Sequence, residues 1–224
     1  AARGPTSKPS TASSDRAGGM RVLAIECASE ACSAALFEDD ALLGGRYEVL
    51  GRGHVERLVP MIAELPGKGR AARIVVSLGP GSFTGVRIGV AAARALGLAW
   101  GAEVLGYPTL ALVAAMARAR HLGPVTVCMS GGHGEWFVQG FAADGEAEAE
   151  LVSLTPARAA EAVSHQTVAG SQAEALVALR GSGAALALLP DARTLPLLPK
   201  GFLDSDLTPI YGRAPDARLP GART

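Results

Sequence analysis

Arg73-Ile-Val-Val-Ser-Leu-Gly-Pro-Gly-Ser-Phe-Thr-Gly-Val-Arg-Ile-Gly89 carries the chain from a β-branched run, through a glycine-rich loop, into a long segment rich in small residues. Ile74-Val75-Val76 reads as a buried strand, and the segment after Gly85 reads as a helix reaching about Trp100. That helix is rich in small residues, Gly89, Ala91 to Ala93, Ala95 and Gly97, which let another helix approach closely. Arg87 and Arg94, seven apart, share one of its faces. A loop between a strand and a helix N-terminus offers backbone N–H groups to an anion, so Gly79, Gly81, Ser82, Thr84 and Gly85 are candidate nucleotide or anion contacts. The two familiar fingerprints fail here. No lysine followed by Ser or Thr closes a P-loop, and the dinucleotide pattern needs glycine where Thr84 stands. The same glycines serve equally to permit turns and close helix packing.

Before this unit, Arg21 to Glu26 and Ser33 to Phe37 read as neighbouring strands around a small-residue turn, and a third strand runs through Leu42, Leu43 and Tyr47. From His54 to Leu65 the apolar positions Val55, Leu58, Val59 and Ile62 recur at helical spacing, with Pro60 expected to interrupt or kink the helix. After it come a strand at Val104-Leu105 and a helix from about Thr109. The opening then repeats: strand Val125 to Met129, tight turn Ser130 to Gly134, strand Glu135 to Phe141, turn Asp144-Gly145 and a strand near Leu151. Thr155-Pro156 reads as an N-cap with proline at the first helical position. Val168 to Ser171 reads as a short strand ending in a glycine turn, followed by a helix through Leu176 and Leu179, and the tail after Gly181 is proline-rich and weakly patterned. Two related α/β lobes are expected, at 20–122 and 123–224. Residues 1–19 read as a disordered extension or an expression remnant, with Met20 as the natural start.

A chain of 224 residues, 49% apolar, can bury a sizeable core. Twenty-one basic and 21 acidic residues leave no global charge to attract nucleic acid or an acidic membrane, so partners must be recognised locally. Lysine occurs only at Lys8, Lys68 and Lys200, and asparagine is absent, which points to genomic composition bias rather than to an arginine-based RNA site. Cys27, Cys32 and Cys128 form no CxxC pair, and reduced cytosolic thiols are expected. No run of about 18 apolar residues exists to span a membrane, and the first 19 residues lack the apolar segment of a signal peptide. Glu26 and Ser29 flank the first turn, where a carboxylate could hold a hydrated magnesium ion and a hydroxyl could touch phosphate. His54 has no second histidine at position 58, and His133 with Glu135 lacks a third ligand, so no metal site is expected. No nucleophile and base stand at recognisable spacing, and no catalytic residue is assigned.

Taken together, Met20-Arg-Val-Leu-Ala-Ile-Glu-Cys-Ala-Ser-Glu-Ala-Cys-Ser33, His54-Val-Glu-Arg-Leu-Val-Pro-Met61 and Gly79-Pro-Gly-Ser-Phe-Thr-Gly-Val-Arg-Ile-Gly89 resemble the TsaB family, also known as YeaZ. Pro209-Ile-Tyr-Gly-Arg-Ala-Pro-Asp216 looks like that family's ending, and the likeness is densest over residues 20–125. The resemblance implies the duplicated actin-like, sugar-kinase and Hsp70-type (ASKHA) fold, two lobes with mixed β-sheets. It implies a non-catalytic cytoplasmic subunit in the making of threonylcarbamoyladenosine at position 37 of tRNAs that read codons beginning with A. The partners implied are a TsaD-type catalytic subunit and a TsaE-type ATPase, with ATP and Mg2+ used mainly by those partners, tRNA met through the complex, no membrane, and a homodimer when alone. By the same resemblance, the partner interface uses the helix from His54 and the helix after Gly85, through His54, Arg57, Leu58, Met61, Arg87, Val90 and Arg94. The chain departs from the family at Glu26-Cys27, where Asp-Thr is usual, and at Ser130 to Glu135, where the usual acid and arginine are missing. The rival reading is an actin-like ATPase or phosphotransferase with its own nucleotide site. A peptidase ranks last, and direct tRNA contact through Arg87, Arg94, Arg118 and Arg120 would be weak and salt-sensitive.

Overall fold

The β-branched run at the centre of the first half is one rung of a five-stranded sheet, and a computed structural model describes it within residues 19–212. The expectations for residues 1–18 and for Arg213 to Asp216 lie outside the described residues. Strands β1 (Arg21–Glu26), β2 (Ala31–Glu38) and β3 (Ala41–Val49) form an antiparallel meander, and β4 (Arg73–Ser77) and β5 (Glu103–Tyr107) extend it in parallel, in the order β3-β2-β1-β4-β5. Helices α1 (His54–Ala63) and α2 (Phe83–Trp100) make the crossovers, and α3 (Thr109–Arg118) ends the first half. The second half repeats the plan. Strands β6 (Val125–Gly132), β7 (Glu135–Phe141), β8 (Val152–Leu154), β9 (Thr167–Ala169) and β10 (Ala184–Leu186) take the order β8-β7-β6-β9-β10, with the same antiparallel and parallel pairings. Its crossovers are α4 (Pro156–Ala162) and α5 (Ala173–Arg180). Two mixed sheets with one shared topology are the duplicated actin-like fold.

Alternation along β1 sorts its side chains between two layers. Leu23 and Ile25 join Ala34, Leu36, Leu58, Met61, Ile62 and Val90 in the core beneath α1 and α2. Each such large apolar side chain, fully buried, contributes about 1.5–3 kcal/mol. On the other face Ala24, Ala35 and Phe37 pack against Ala192. The small side chains on that face let a returning segment lie flat on the sheet. The tail after β10 is therefore placed: Ala192–Leu197 forms a short 3-10 segment on the first lobe, and Ala192 N–H donates to Ser33 Oγ at 2.9 Å.

Helix α3 makes the reciprocal exchange. It follows β5 of the first sheet but packs on β6, β7 and β9 of the second, and every residue from Thr109 to Ala117 is buried. A helix apolar on all sides belongs between two layers, and its core joins Val75 and Tyr107 to Val125, Val127, Met129, Phe137 and Phe141.

Several local expectations change. Pro60 neither ends nor interrupts α1, which continues to Ala63. Pro60 and Glu56 both face solvent, so water can serve the carbonyl that lost its N–H. Val55 and Val59 lie on the outer face of α1, 60% and 59% exposed, while His54, Leu58, Met61 and Ile62 point inward. Thr155 precedes α4 without a side-chain cap bond. Ser130 to Gly132 extend β6, so the turn narrows to His133 and Gly134, both at positive φ. Strand β10 lies in a segment whose weak patterning concealed it.

Candidate functional site

The two meander turns face each other across a cleft of about 860 Å³ between the lobes. The first-lobe wall is Ala28, Ser29 and Glu30 with Gly81 to Phe83 and Arg87. The second-lobe wall is Met129 to His133 with Phe137, and Ile210 to Gly212 of the tail complete the rim.

Sequence-assigned residues divide at this wall. Ser29, Gly81 and Ser82 line the cleft. Gly79, at φ +90 and buried, lies behind it, and its carbonyl accepts from Thr109 N–H at 2.8 Å. Gly81 and Gly85 pack so closely on the first turn that a Cβ on either would overlap the carbonyl of Ala28 or of Cys27, respectively. Close packing thus accounts for both glycines. Thr84 is exposed and is not among the lining residues.

The entry to α2 is also partly self-satisfied. Ser82 N–H donates to Ala28 O at 2.7 Å, Gly85 N–H to Ser82 Oγ at 3.2 Å, and Val86 N–H to Ser82 O at 2.9 Å. Of the first donors of this helix N-terminus, Ser82 and Gly85 N–H are thus engaged by the chain itself. Glu26 is fully buried beneath the wall rather than on it. Its Oε1 accepts from Ala28 N–H at 2.6 Å and Ser77 Oγ at 2.9 Å, and its Oε2 accepts from Tyr107 Oη at 3.0 Å. Burial outweighs these three donors and pushes the carboxyl up to about 7. Burial, followed by the neighbouring Glu26 carboxylate, pushes the Tyr107 phenol well above its usual range. Glu26 is thus set apart from Ser29, Gly81 and Ser82, which line the cleft. Among the described residues, no group of three or more His, Cys, Asp or Glu side chains stands where it could hold a metal ion.

His54 is a positioning residue for this wall. Its Nε2 donates to Ser29 O at 2.9 Å and lies 3.3 Å from Ala31 O, which ties the start of α1 to the first turn. His54, Leu58, Met61 and Val90, assigned to a partner interface by resemblance, are buried in the chain's own core. Arg57 is bound to Glu48 of β3 and to Glu64, which it holds as carboxylates. The outward face of α1 carries Val55 and Val59 in their place.

Arg87 and Arg94 do share a face, and the tail lies along it. Arg87 Nε donates to Tyr211 Oη at 3.2 Å, its guanidinium sits 3.7 Å from the Phe83 ring centroid, and Arg94 donates to Leu207 O at 3.4 Å. Phe83 and Tyr211 rings stand 5.5 Å apart. The i, i+4 spacing of Phe83 and Arg87 was a readable signal; the docking of Tyr211 was not, because nothing local fixes where the tail returns. Arg118 donates to Ala143 O, bracing the turn after β7.

A family model described as "TsaD: tRNA N6-adenosine threonylcarbamoyltransferase" matches residues 47–188. The Escherichia coli tRNA threonylcarbamoyladenosine biosynthesis protein TsaB is 43% identical over 102 residues, which are 42% of this chain and 43% of that protein. The match therefore spans less than half of that relative's length. YeaZ from Pseudomonas aeruginosa superposes with a TM-score of 0.67 at 28% identity, over 80% of this chain and 90% of that one. A further Pseudomonas aeruginosa structure, described as similar to peptidase YeaZ, gives 0.68 at 28% identity, over 80% and 89%. No described helix is long and apolar enough to cross a membrane.

Proposed function

Because the chain belongs to the family of that threonylcarbamoyltransferase model, with TsaB and YeaZ as its likeness within it, we propose that it serves threonylcarbamoyladenosine formation on tRNA as an accessory subunit. In this role it binds and activates a TsaD-type catalytic subunit, associates with a TsaE-type ATPase, and meets tRNA through the assembly in the cytoplasm. The product is N6-threonylcarbamoyladenosine at position 37 of tRNAs reading codons that begin with A. ATP and Mg2+ are used by the complex, mainly by the partner subunits, and the chain alone pairs with itself. The observation that carries the reading is the outward face of α1, where Val55 and Val59 stand exposed beside the small-residue helix α2. Burying such side chains against another helix is favourable and demands no rearrangement of the core beneath.

The test is light scattering on the chain alone and mixed with the TsaD-type subunit of the same organism, followed by a threonylcarbamoylation assay. A heterodimer, and modification that stops without this chain, are expected. Val59→Arg should abolish both while leaving the melting temperature unchanged. No complex, or modification that proceeds without the chain, would sink the proposal. The second reading, an independent ATPase or phosphotransferase, has in its favour the volume of the interlobe cleft, about 860 Å³. It predicts ATP turnover by the isolated chain above that of a Phe83→Asp, Arg87→Glu double variant.

A further inference from the structure

The first turn brings two of the three cysteines together. Antiparallel pairing of β1 and β2 runs from Arg21 opposite Glu38 to Glu26 opposite Ser33, and one further step places Cys27 opposite Cys32. Residues directly opposite in an antiparallel pair put their Cβ atoms about 4.5–5.5 Å apart on one face of the sheet, close to the separation that a disulfide spans. The two Sγ atoms lie 3.6 Å apart, and both side chains are buried in the core below α1 and α2. Cys128 sits in the second sheet's core, where burial alone pushes its thiol up to about 12.

We propose that Cys27 and Cys32 are a modification site, a dithiol that closes reversibly to an intramolecular disulfide when a peroxide-class oxidant reaches it. The hydrogen bond within the pair prepares one sulfur for attack: it holds the Cys32 thiol below the ordinary value and the Cys27 thiol above it. Cys32 thiolate attacks a peroxide oxygen and the O–O bond breaks. The departing oxide takes up a proton as water and leaves a sulfenic acid. Cys27 sulfur then displaces the sulfenic hydroxyl, which leaves as a second water with the Cys27 proton. The sulfur pair has lost two electrons and the peroxide has gained them.

The turn that joins the two cysteines also forms part of the cleft wall, where Ala28, Ser29 and Glu30 line the open cleft. The bond would bear on the whole wall, because this turn holds Ser82 N–H through Ala28 O, His54 through Ser29 O, and Gly85 against the Cys27 carbonyl. The proposal is independent of which subunit the chain assembles with.

The native chain is treated with hydrogen peroxide, acid-quenched, denatured, alkylated and cleaved after glutamate, since Glu30 separates the two cysteines. A linked peptide pair should appear, lighter by two hydrogens than the separate peptides. Alkylation of Cys27 and Cys32 should fall about tenfold together and return with dithiothreitol, while Cys128 stays alkylated. Both cysteines remaining alkylated, or ending as separate sulfinic acids, would overturn the proposal. In Cys32→Ser, peroxide should no longer produce a linked Cys27 peptide. Should that variant fold poorly, the wild-type peptide pair decides the matter alone.

Discussion

At Glu26, complete burial and three hydrogen-bond donors pull in opposite directions, and burial prevails. The native state therefore holds this proton more tightly than the unfolded chain does, with the carboxyl raised from 4.5 to about 7. Between those two values the folded form binds more protons than the unfolded one, so stability falls as pH rises. The favourable contribution is complete below about pH 4.5 and lost above about pH 7, a change on the order of 3 kcal/mol. Urea unfolding at pH 5 and pH 8 should show this loss in the wild type, and Glu26→Gln should flatten it; parallel profiles for the two proteins would refute the assignment. The sequence presents Glu26 as the end of a strand, flanking a turn where a carboxylate could hold a hydrated magnesium ion. It could not show that Tyr107, 81 residues away, and Ser77 close over the carboxyl, because that contact depends on the order of strands in the sheet. The nearness of Cys27 to Cys32 was hidden for a related reason: their spacing is not a motif, and only the hairpin register makes them neighbours.

The entry to α2 was legible as a strand, a glycine loop and a helix, while the purpose of its glycines was not. Glycine early in a helix ordinarily costs about 1 kcal/mol relative to alanine, so Gly85→Ala would stabilise an isolated helix. Here a Cβ meets backbone, which cannot swing aside as a side chain can. Gly81→Ala and Gly85→Ala should each destabilise the chain by about 1–3 kcal/mol, read as a lowered melting temperature, whereas exposed Thr84→Ala should change it little. Equal melting of all three would show that the wall does not depend on this contact. Helix α1 was equally visible as a helix, and only part of its apolar stripe turns inward. Of the stripe Val55, Leu58, Val59 and Ile62, only Leu58 and Ile62 join Leu23 and Ile25, with Met61 beside them, while Val55 and Val59 face solvent. A helix apolar on two sides leaves such a choice to its neighbours. His54→Ala should loosen the first turn by removing the donor to Ser29 O, speeding hydrogen exchange at Ala31 and Leu50 in the wall more than at Val127 in the second sheet.

Across the molecule, the duplication could be read from two strand-turn-strand openings, and the lobes do share one topology. What escaped was the exchange between them, α3 onto the second sheet and the tail onto the first. Neither the alanine-rich helix nor the proline-rich tail carries a periodicity that names its partner sheet. Truncation after Leu189 would uncover Ala24, Ala35 and Phe37 and leave Ser33 Oγ without the N–H of Ala192. Such a chain should lose its cooperative melt and bind a hydrophobic dye, and a sharp, unshifted transition would show that the tail is dispensable. The returning tail also sets how the molecule would carry a load. Both ends of the described chain are anchored on the first lobe, at β1 and along α2 where Leu207 and Tyr211 are held. A pull between them is borne first by the tail's grip on that lobe, and the second lobe feels no tension until the tail has peeled from the first sheet.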